Sequence, residues 1–220
     1  NRKRKIEFSL QIVLIDEITK KLLLFGGINL FLTFINLGGL YIQRKIILSN
    51  LDLIAVGYLQ AAISIRNYSD IVGRASGFYF LPRMSEKIDN AKRNREINNY
   101  LFFSMIIYII IGTVILLFRD VIIRLLLTEA FIYVGTVIPW FIIAEYFNNV
   151  NRPFGQTIVG MARLRLHTIN CVIVFVSWVI IPYILVPKIG IVAIAVSSIV
   201  GSLISMINSM IFLKINNNII

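Results

Sequence analysis

The sequence has few of the residues on which soluble enzymes depend. Its 220 residues include one cysteine, one histidine and eleven acidic side chains, and charged residues make up only 15% of the chain. A soluble domain carries roughly 25% charged residues. The lone Cys171 and lone His167 exclude a disulfide framework and a cysteine or histidine metal cluster within the chain. No phosphate-binding loop or H-E-x-x-H pattern occurs, so we expect neither an enzyme nor a cofactor.

Apolar residues are what the sequence has in abundance, at 58% of the chain with a mean hydropathy of +0.82. About 20 apolar residues cross a bilayer core of roughly 30 Å. Four uncharged stretches are long enough to do so: 22–43, 97–118, 166–187 and 189–213. Two further apolar segments, around 54–81 and 133–159, contain embedded charges.

We therefore predict an all-α, polytopic integral membrane protein with about six transmembrane helices. The predicted six-helix lobe occupies 22–213, with spans at about 22–42, 54–82, 101–118, 133–159, 169–186 and 189–213. Residues 1–21 are predicted to form a cytoplasmic loop and an interfacial helix, and 214–220 a cytoplasmic tail. Because the chain opens with Asn-Arg-Lys-Arg-Lys rather than Met, it is expected to be part of a longer protein.

Breaks and close contacts within the spans are predicted from proline and small residues. Pro139 and Pro153 should bend the fourth span and Pro182 should break the fifth, since proline removes a backbone donor. The charged stretch 119–131 is too short to cross and is predicted to form a second interfacial helix. Ser197, Gly201 and Ser205 recur every four residues, a pattern typical of close helix packing.

The basic residues predict an orientation. Of 22 Lys and Arg residues, six spans place fourteen on the side of both termini and five on the other, and three lie within spans. Positive charge is retained in cytoplasmic loops, so both termini are expected in the cytoplasm. The net charge of +11 is explained in this way, and no nucleic-acid partner is expected.

Two stripes of polar residues lie inside the predicted spans. Arg66, Asp70 and Arg74 are spaced four apart, which places them on one helix face, and Gly73 and Gly77 lie on nearly the same face. The fourth span carries a similar stripe, formed by Glu145, Asn149, Arg152 and Gln156. Lipid does not tolerate such groups, so both stripes should face a water-filled cavity.

Ionisable residues at membrane depth indicate function by default. Guanidinium groups suit phosphate oxygens and keep their charge where water is scarce. We therefore predict that Arg66, Arg74 and Arg152, with Asn149 and Gln156, bind an anionic substrate. Asp70 and Glu145 are candidates for binding a coupling cation or proton. The alternative is that these charges neutralise one another, for example Arg66 with Asp70, and only hold helices together.

Several segments resemble a known family. The stretch Val56-Gly-Tyr-Leu-Gln-Ala-Ala-Ile-Ser-Ile-Arg-Asn-Tyr-Ser-Asp70 and its continuation Tyr79-Phe-Leu-Pro-Arg-Met-Ser-Glu86 are similar to a recurring segment of bacterial O-antigen and lipid-linked oligosaccharide flippases. Phe118–Phe131 also resembles that family, as does Ile181-Pro-Tyr with Gly190–Ala195. These flippases belong to the polysaccharide branch of the multidrug/oligosaccharidyl-lipid/polysaccharide exporter superfamily.

The resemblance implies a two-lobe exporter working by alternating access, of which this chain matches the C-terminal lobe. The substrate would be an undecaprenyl-pyrophosphate-linked oligosaccharide, such as an O-antigen repeat unit of lipopolysaccharide. The implied partners are that lipid-linked substrate, membrane lipids, the missing N-terminal lobe and, in surface-polysaccharide biosynthesis, a glycan polymerase and a chain-length regulator.

Two alternatives remain open, and two further classes are disfavoured by the sequence. A cation-coupled multidrug exporter of the same superfamily would favour acidic residues in its cavity. The second alternative is a half-transporter fragment with no activity of its own. A major-facilitator half would carry a Gly-x-x-x-Asp-Arg motif, which is absent from the sequence. A glycan ligase or polymerase would need a large outer loop, and the predicted outer loops are short.

Overall fold

The computed structural model describes residues 17–86 and 89–217, and over these ranges the chain is all-α. A 3-10 turn at Glu129–Phe131 lies between the fourth and fifth helices. The seven α-helices are α1 (Glu17–Asn50), α2 (Leu53–Ser85), α3 (Asn90–Leu117), α4 (Arg119–Leu126), α5 (Val134–Gly160), α6 (Leu164–Ile189) and α7 (Val192–Asn217).

Six long helices occupy the six predicted spans, and four of them are long and apolar enough to cross a membrane: Leu22–Asn50, Asn90–Leu117, Leu164–Ile189 and Val192–Lys214. The chain is therefore a membrane protein. Length and composition support only four of the six predicted spans, because α2 and α5 are not apolar enough. These two helices carry the two polar stripes, which lower their hydropathy.

Several predicted boundaries differ from the structure. Residues 1–16 of the predicted interfacial helix lie outside the described residues, and Glu17–Lys21 continue without a break into α1. The predicted tail begins inside α7, which runs on to Asn217. The stretch 119–131 is helical as predicted, as α4 followed by the 3-10 turn.

The prediction that Pro182 breaks the fifth span is wrong, because α6 is continuous through Pro182 and Pro187. A proline deprives the carbonyl four residues earlier of its helical donor. For Pro182 that carbonyl belongs to Trp178, and Gln43 Nε2 lies 3.5 Å from it as a donor. Pro139 frees the carbonyl of Gly135 in the same way, and Arg119 Nη1 donates to it at 3.4 Å. Side-chain donors from other helices thus replace the missing backbone bonds.

Long helices that follow one another in the chain run in opposite directions. Contacts along α2 and α5 advance together, from Arg66 with Glu145 to Gly77 with Gln156, so these two helices are parallel. Contacts between α6 and α7 advance in opposite directions, from Asn170 with Ser209 to Ser177 with Gly201. By the same reasoning α1, α3 and α6 point one way, and α2, α5 and α7 the other.

The short turns follow from local sequence. Asp52 begins α2 by accepting a hydrogen bond from the backbone N–H of Ala55 at 2.6 Å, a favourable N-cap. Gly190 ends α6 with φ of +63°, a conformation that residues with a side chain rarely adopt. A Cβ at Gly190 would lie 4.0 Å from Leu51 Cδ1. The α1–α2 and α6–α7 turns therefore lie side by side at one end of the bundle.

The opposite end, which we call the basic end, holds the α2–α3 turn, the α5–α6 turn and the end of α7. Arg163 lies over the ring of Phe212 there, 6.0 Å from its centroid. Basic residues of the described chain concentrate at this end: Arg83, Lys92, Arg93, Arg95, Arg163, Arg165 and Lys214.

The outer surface is strongly apolar. On α1 the side chains of Leu22, Leu30, Phe34 and Tyr41 are all more than 60% exposed. Soluble monomers rarely expose contiguous apolar patches of more than a few hundred Å². This surface is the expected exterior of a membrane protein, with lipid as its solvent.

Two apolar clusters hold the interior, one towards each end. The cluster at the turn end includes Ile47, Leu59, Phe141 and Ile194, and the cluster at the basic end includes Met84, Tyr100, Phe154 and Leu213. Helix α5 is central and contacts α2, α3, α6 and α7. The polar stripes of α2 and α5 lie in the layer between the two clusters.

The small-residue stripe of α7 packs as predicted. Ser197 is fully buried, and a Cβ at Gly201 would lie 3.3 Å from the Cα of Val174 on α6. Ser205 is 4% exposed and faces α5. The stripe allows α6 and α7 to approach closely.

The helix directions predict which residues are accessible from the same side of the membrane. In a Cys171→Ser background, single cysteines at Asp52 and Lys188 should react with an impermeant maleimide from one side. Cysteines at Lys92 and Arg163 should react only from the other side. Labelling of Asp52→Cys and Lys92→Cys from the same side would contradict the alternating arrangement.

Candidate functional site

The two polar stripes meet in one group, which we call the charged cluster: Arg66, Asp70, Arg74, Glu145 and Arg152. Arg66 Nε lies 3.5 Å from Glu145 Oε2. Arg152 Nη2 donates a hydrogen bond to Asp70 Oδ1. Asp70 Oδ2 lies 3.5 Å from Arg74 Nε on the next turn of α2. Two ion pairs therefore cross from α2 to α5.

The charged cluster contains three arginines and two carboxylates, so its formal charge is +1. Exposure differs among the arginines: the side chain of Arg66 is 16% exposed and that of Arg152 21%, whereas that of Arg74 is 60% exposed. Asp70 is also paired with Arg152, so its carboxylate would keep a cation if Arg74 moved away. The excess positive charge is thus located at the accessible Arg74.

Close approach of the helices depends on glycine. A Cβ at Gly73 would overlap Tyr108 Oη and lie 2.5 Å from Asn149 Oδ1. At Gly77 a Cβ would lie 3.1 Å from Gln156 Nε2. The groups that approach these glycines are side chains of α3 and α5.

Glu145 is the most enclosed member of the charged cluster, at 4% residue exposure. Asn149 Nδ2 donates to Glu145 Oε1 at 2.7 Å, and Asn148 Nδ2 lies 3.3 Å from Glu145 Oε2. Together with Arg66 these amides satisfy both carboxylate oxygens. Asn149 Oδ1 and Tyr108 Oη are buried and have no hydrogen-bond partner among the described residues.

A ladder of amides and hydroxyls continues the polar layer towards α6 and α7. Ser202 Oγ donates to Asn148 Oδ1, and Asn151 Nδ2 donates to Ser205 Oγ at 3.2 Å. Asn170 Nδ2 donates to Ser209 Oγ at 2.8 Å. These bonds tie α5 and α6 to α7 without any charge.

A cavity of about 380 Å³ lies beside the charged cluster on its basic-end side. Its polar lining comes from Asn148, Asn151, Arg152, Gln156 and His167, and we call it the amide cavity. A smaller cavity of about 160 Å³ adjoins it and shares Asn151, Gly155 and His167. Volumes of about 300–1,000 Å³ are usual for small-molecule sites.

The structure brings the predicted residues together in two groups. Arg66, Asp70, Arg74, Glu145 and Arg152 form the charged cluster, with Asn149 bound to Glu145, while Gln156 lines the amide cavity. The example pairing of Arg66 with Asp70 differs from the structure, in which Arg66 pairs with Glu145 across the helix interface. Their roles in substrate binding and ion coupling stay predictions.

Some polar residues of this layer are not in the predicted set. Tyr108 sits alone in an apolar stretch of α3, and nothing in the sequence distinguishes it. Asn148 and Asn151 lie beside the predicted stripe of α5, and their partners are Ser202 and Ser205. Ser209, the partner of Asn170, continues the same three- and four-residue spacing on α7. The spacing of these serines is the sequence feature from which their network could have been predicted.

Comparisons with protein-family models, curated proteins and solved structures gave no match to this chain.

The charged cluster predicts strong energetic coupling between Arg66 and Glu145. Arg66→Met leaves an enclosed carboxylate without its cation and should lower the free energy of unfolding by about 3–5 kcal/mol. The double variant Arg66→Met with Glu145→Leu removes both charges and should recover most of that loss. Reversible unfolding in mixed detergent micelles measures the free energy of unfolding of each variant. A loss in the double variant equal to the sum of the two single-variant losses would show that the pair is not coupled.

Proposed function

We propose that the chain is one lobe of a two-lobe exporter that flips an undecaprenyl-pyrophosphate-linked oligosaccharide across the bacterial inner membrane. The proposal includes six membrane spans, with α2 and α5 as the two that carry charge, and cytoplasmic ends at the basic end. It rests on the family resemblance of the sequence together with the geometry of the charged cluster.

The alternating helix directions support six crossings. Helices α2 and α5 contain 33 and 27 residues, which at 1.5 Å per residue is roughly 50 Å and 40 Å, enough to cross a bilayer. Four of their charged residues pair across the α2–α5 interface and are at most 22% exposed: Arg66 with Glu145, and Arg152 with Asp70. Charged residues inside membrane proteins are expected in such positions.

The single observation that carries the functional proposal is the uneven charge of the cluster. Both carboxylates are held by arginines, and the arginine in excess, Arg74, is the most exposed of the three. A guanidinium group in this position can bind a phosphate oxygen through charge-assisted hydrogen bonds. The same arrangement disfavours a cationic drug, because neither acid is free of a cation.

Transport in this proposal requires no covalent chemistry. The diphosphate is attracted to Arg74, and competition between phosphate and carboxylate for the arginines loosens the α2–α5 contact. Rocking of this lobe against the N-terminal lobe then exposes the site to the opposite face, as in other repeat-built transporters.

Complementation of a flippase-null strain by the full-length gene tests the proposal. Arg74→Ala should restore less than a tenth of the surface glycan at normal membrane levels, because a charge-assisted hydrogen bond is worth roughly 1.5–3 kcal/mol. Arg74→Lys keeps the charge and should retain partial function. Arg124→Ala, an exposed arginine on α4, is the matched control and should behave as wild type.

Wild-type glycan levels with Arg74→Ala would refute the anion-binding role. Failure of the wild-type gene itself to complement would refute the flippase assignment and leave the inactive-fragment alternative.

A further inference from the structure

We propose that the amide cavity binds a neutral, hydroxyl-rich group, namely a sugar ring of the substrate, next to the diphosphate site at Arg74 and Arg152. This inference rests on the proposed function and assigns the glycan end of the same substrate to a second set of side chains. It begins from two unsatisfied acceptors in the cavity wall.

The acceptors are Asn151 Oδ1 and Gln156 Oε1. Both atoms are buried, and neither has a hydrogen-bond partner among the described residues. A buried amide oxygen without a donor costs about 1–3 kcal/mol, so such groups in a native structure call for a bound water or ligand. Both side chains line the amide cavity, and rotation of either terminal amide would turn its oxygen towards a ligand donor there.

The type of ligand follows from the chemistry of the wall. Arg152 is the one permanent charge among the polar lining residues, and its guanidinium is already bound to Asp70. The other polar groups are amides and His167, which both donate and accept hydrogen bonds. Hydroxyl groups have the same dual character, whereas a second anion would find no unpaired cation there.

The position of the cavity orients the substrate. Arg152 contributes to both the charged cluster and the cavity wall, so a diphosphate at the cluster would place its first sugar at the cavity entrance. The smaller neighbouring cavity extends the same polar wall through Asn36 and Asn170. The two volumes of about 380 and 160 Å³ therefore offer room beyond a single sugar ring.

The discriminating substitution is Gln156→Leu. No hydrogen bond of Gln156 Oε1 is lost by it, because this oxygen has none among the described residues, and leucine is of similar size. Asn151→Leu is a second variant and removes the bond to Ser205 as well. Asn67→Leu is the matched control, since Asn67 is an exposed amide on α2 outside both cavities.

Binding of two probes to the purified full-length protein in lipid nanodiscs tests the inference. One probe is undecaprenyl pyrophosphate, and the other is the same lipid carrying its oligosaccharide. Gln156→Leu and Asn151→Leu should each weaken binding of the glycosylated lipid about three- to tenfold, the range expected for a neutral hydrogen bond. Binding of the sugar-free lipid should be unchanged, and Asn67→Leu should change neither.

The outcomes separate this inference from the function on which it rests. Equal affinities of the amide variants and wild type for the glycosylated lipid would overturn the sugar site and leave the flippase proposal standing. An equal loss of affinity for both lipids in the variants would also overturn the sugar site and leave the flippase proposal standing. If wild type binds neither lipid, the proposed function fails, and the sugar site fails with it.

Discussion

Two ion pairs determine how α2 and α5, the helices that carry the polar stripes, meet in the bundle. A buried charge without a partner is costly, so Arg66 pairs with Glu145, and Arg152 with Asp70, across the helix interface. Their meeting fixes the register of the two helices.

Close approach of the two helices is what makes this pairing geometrically possible. Gly73 and Gly77 leave room on α2 for Tyr108, Asn149 and Gln156. Apolar clusters above and below the charged layer then hold the helices together at both ends. Helix α5 is therefore the central helix, with its charged residues on the side facing α2 and with Asn148 and Asn151 bonded to α7.

The division of α5 into a charged and a neutral side is also the basis of the functional account. A lipid-linked glycan has an anionic diphosphate and a neutral sugar, and the polar layer offers a matching pair of surfaces. Arg152 belongs to both, since it binds Asp70 and lines the amide cavity. The two surfaces therefore share one side chain.

Much of this arrangement could be predicted from the sequence. Long uncharged runs predict the helices, and four-residue spacing predicts that Arg66, Asp70 and Arg74 share a face. The identity of the partners could not be predicted, because pairing Arg66 with Glu145 requires the relative register of two helices 79 positions apart in sequence. The continuity of α6 through Pro182 could not be predicted for a similar reason. The donor to the carbonyl that Pro182 leaves free is Gln43, which belongs to a helix distant in sequence.

The most direct test of the central claim, that the excess arginine charge recognises a diphosphate, is a comparison of two lipids. The affinities of undecaprenyl pyrophosphate and uncharged undecaprenol for the purified full-length protein in nanodiscs would be measured at low and high salt. We expect the diphosphate lipid to bind at least about tenfold more tightly than undecaprenol at low salt. The difference should narrow as salt screens the exposed Arg74. Equal affinities at both salt concentrations would contradict it.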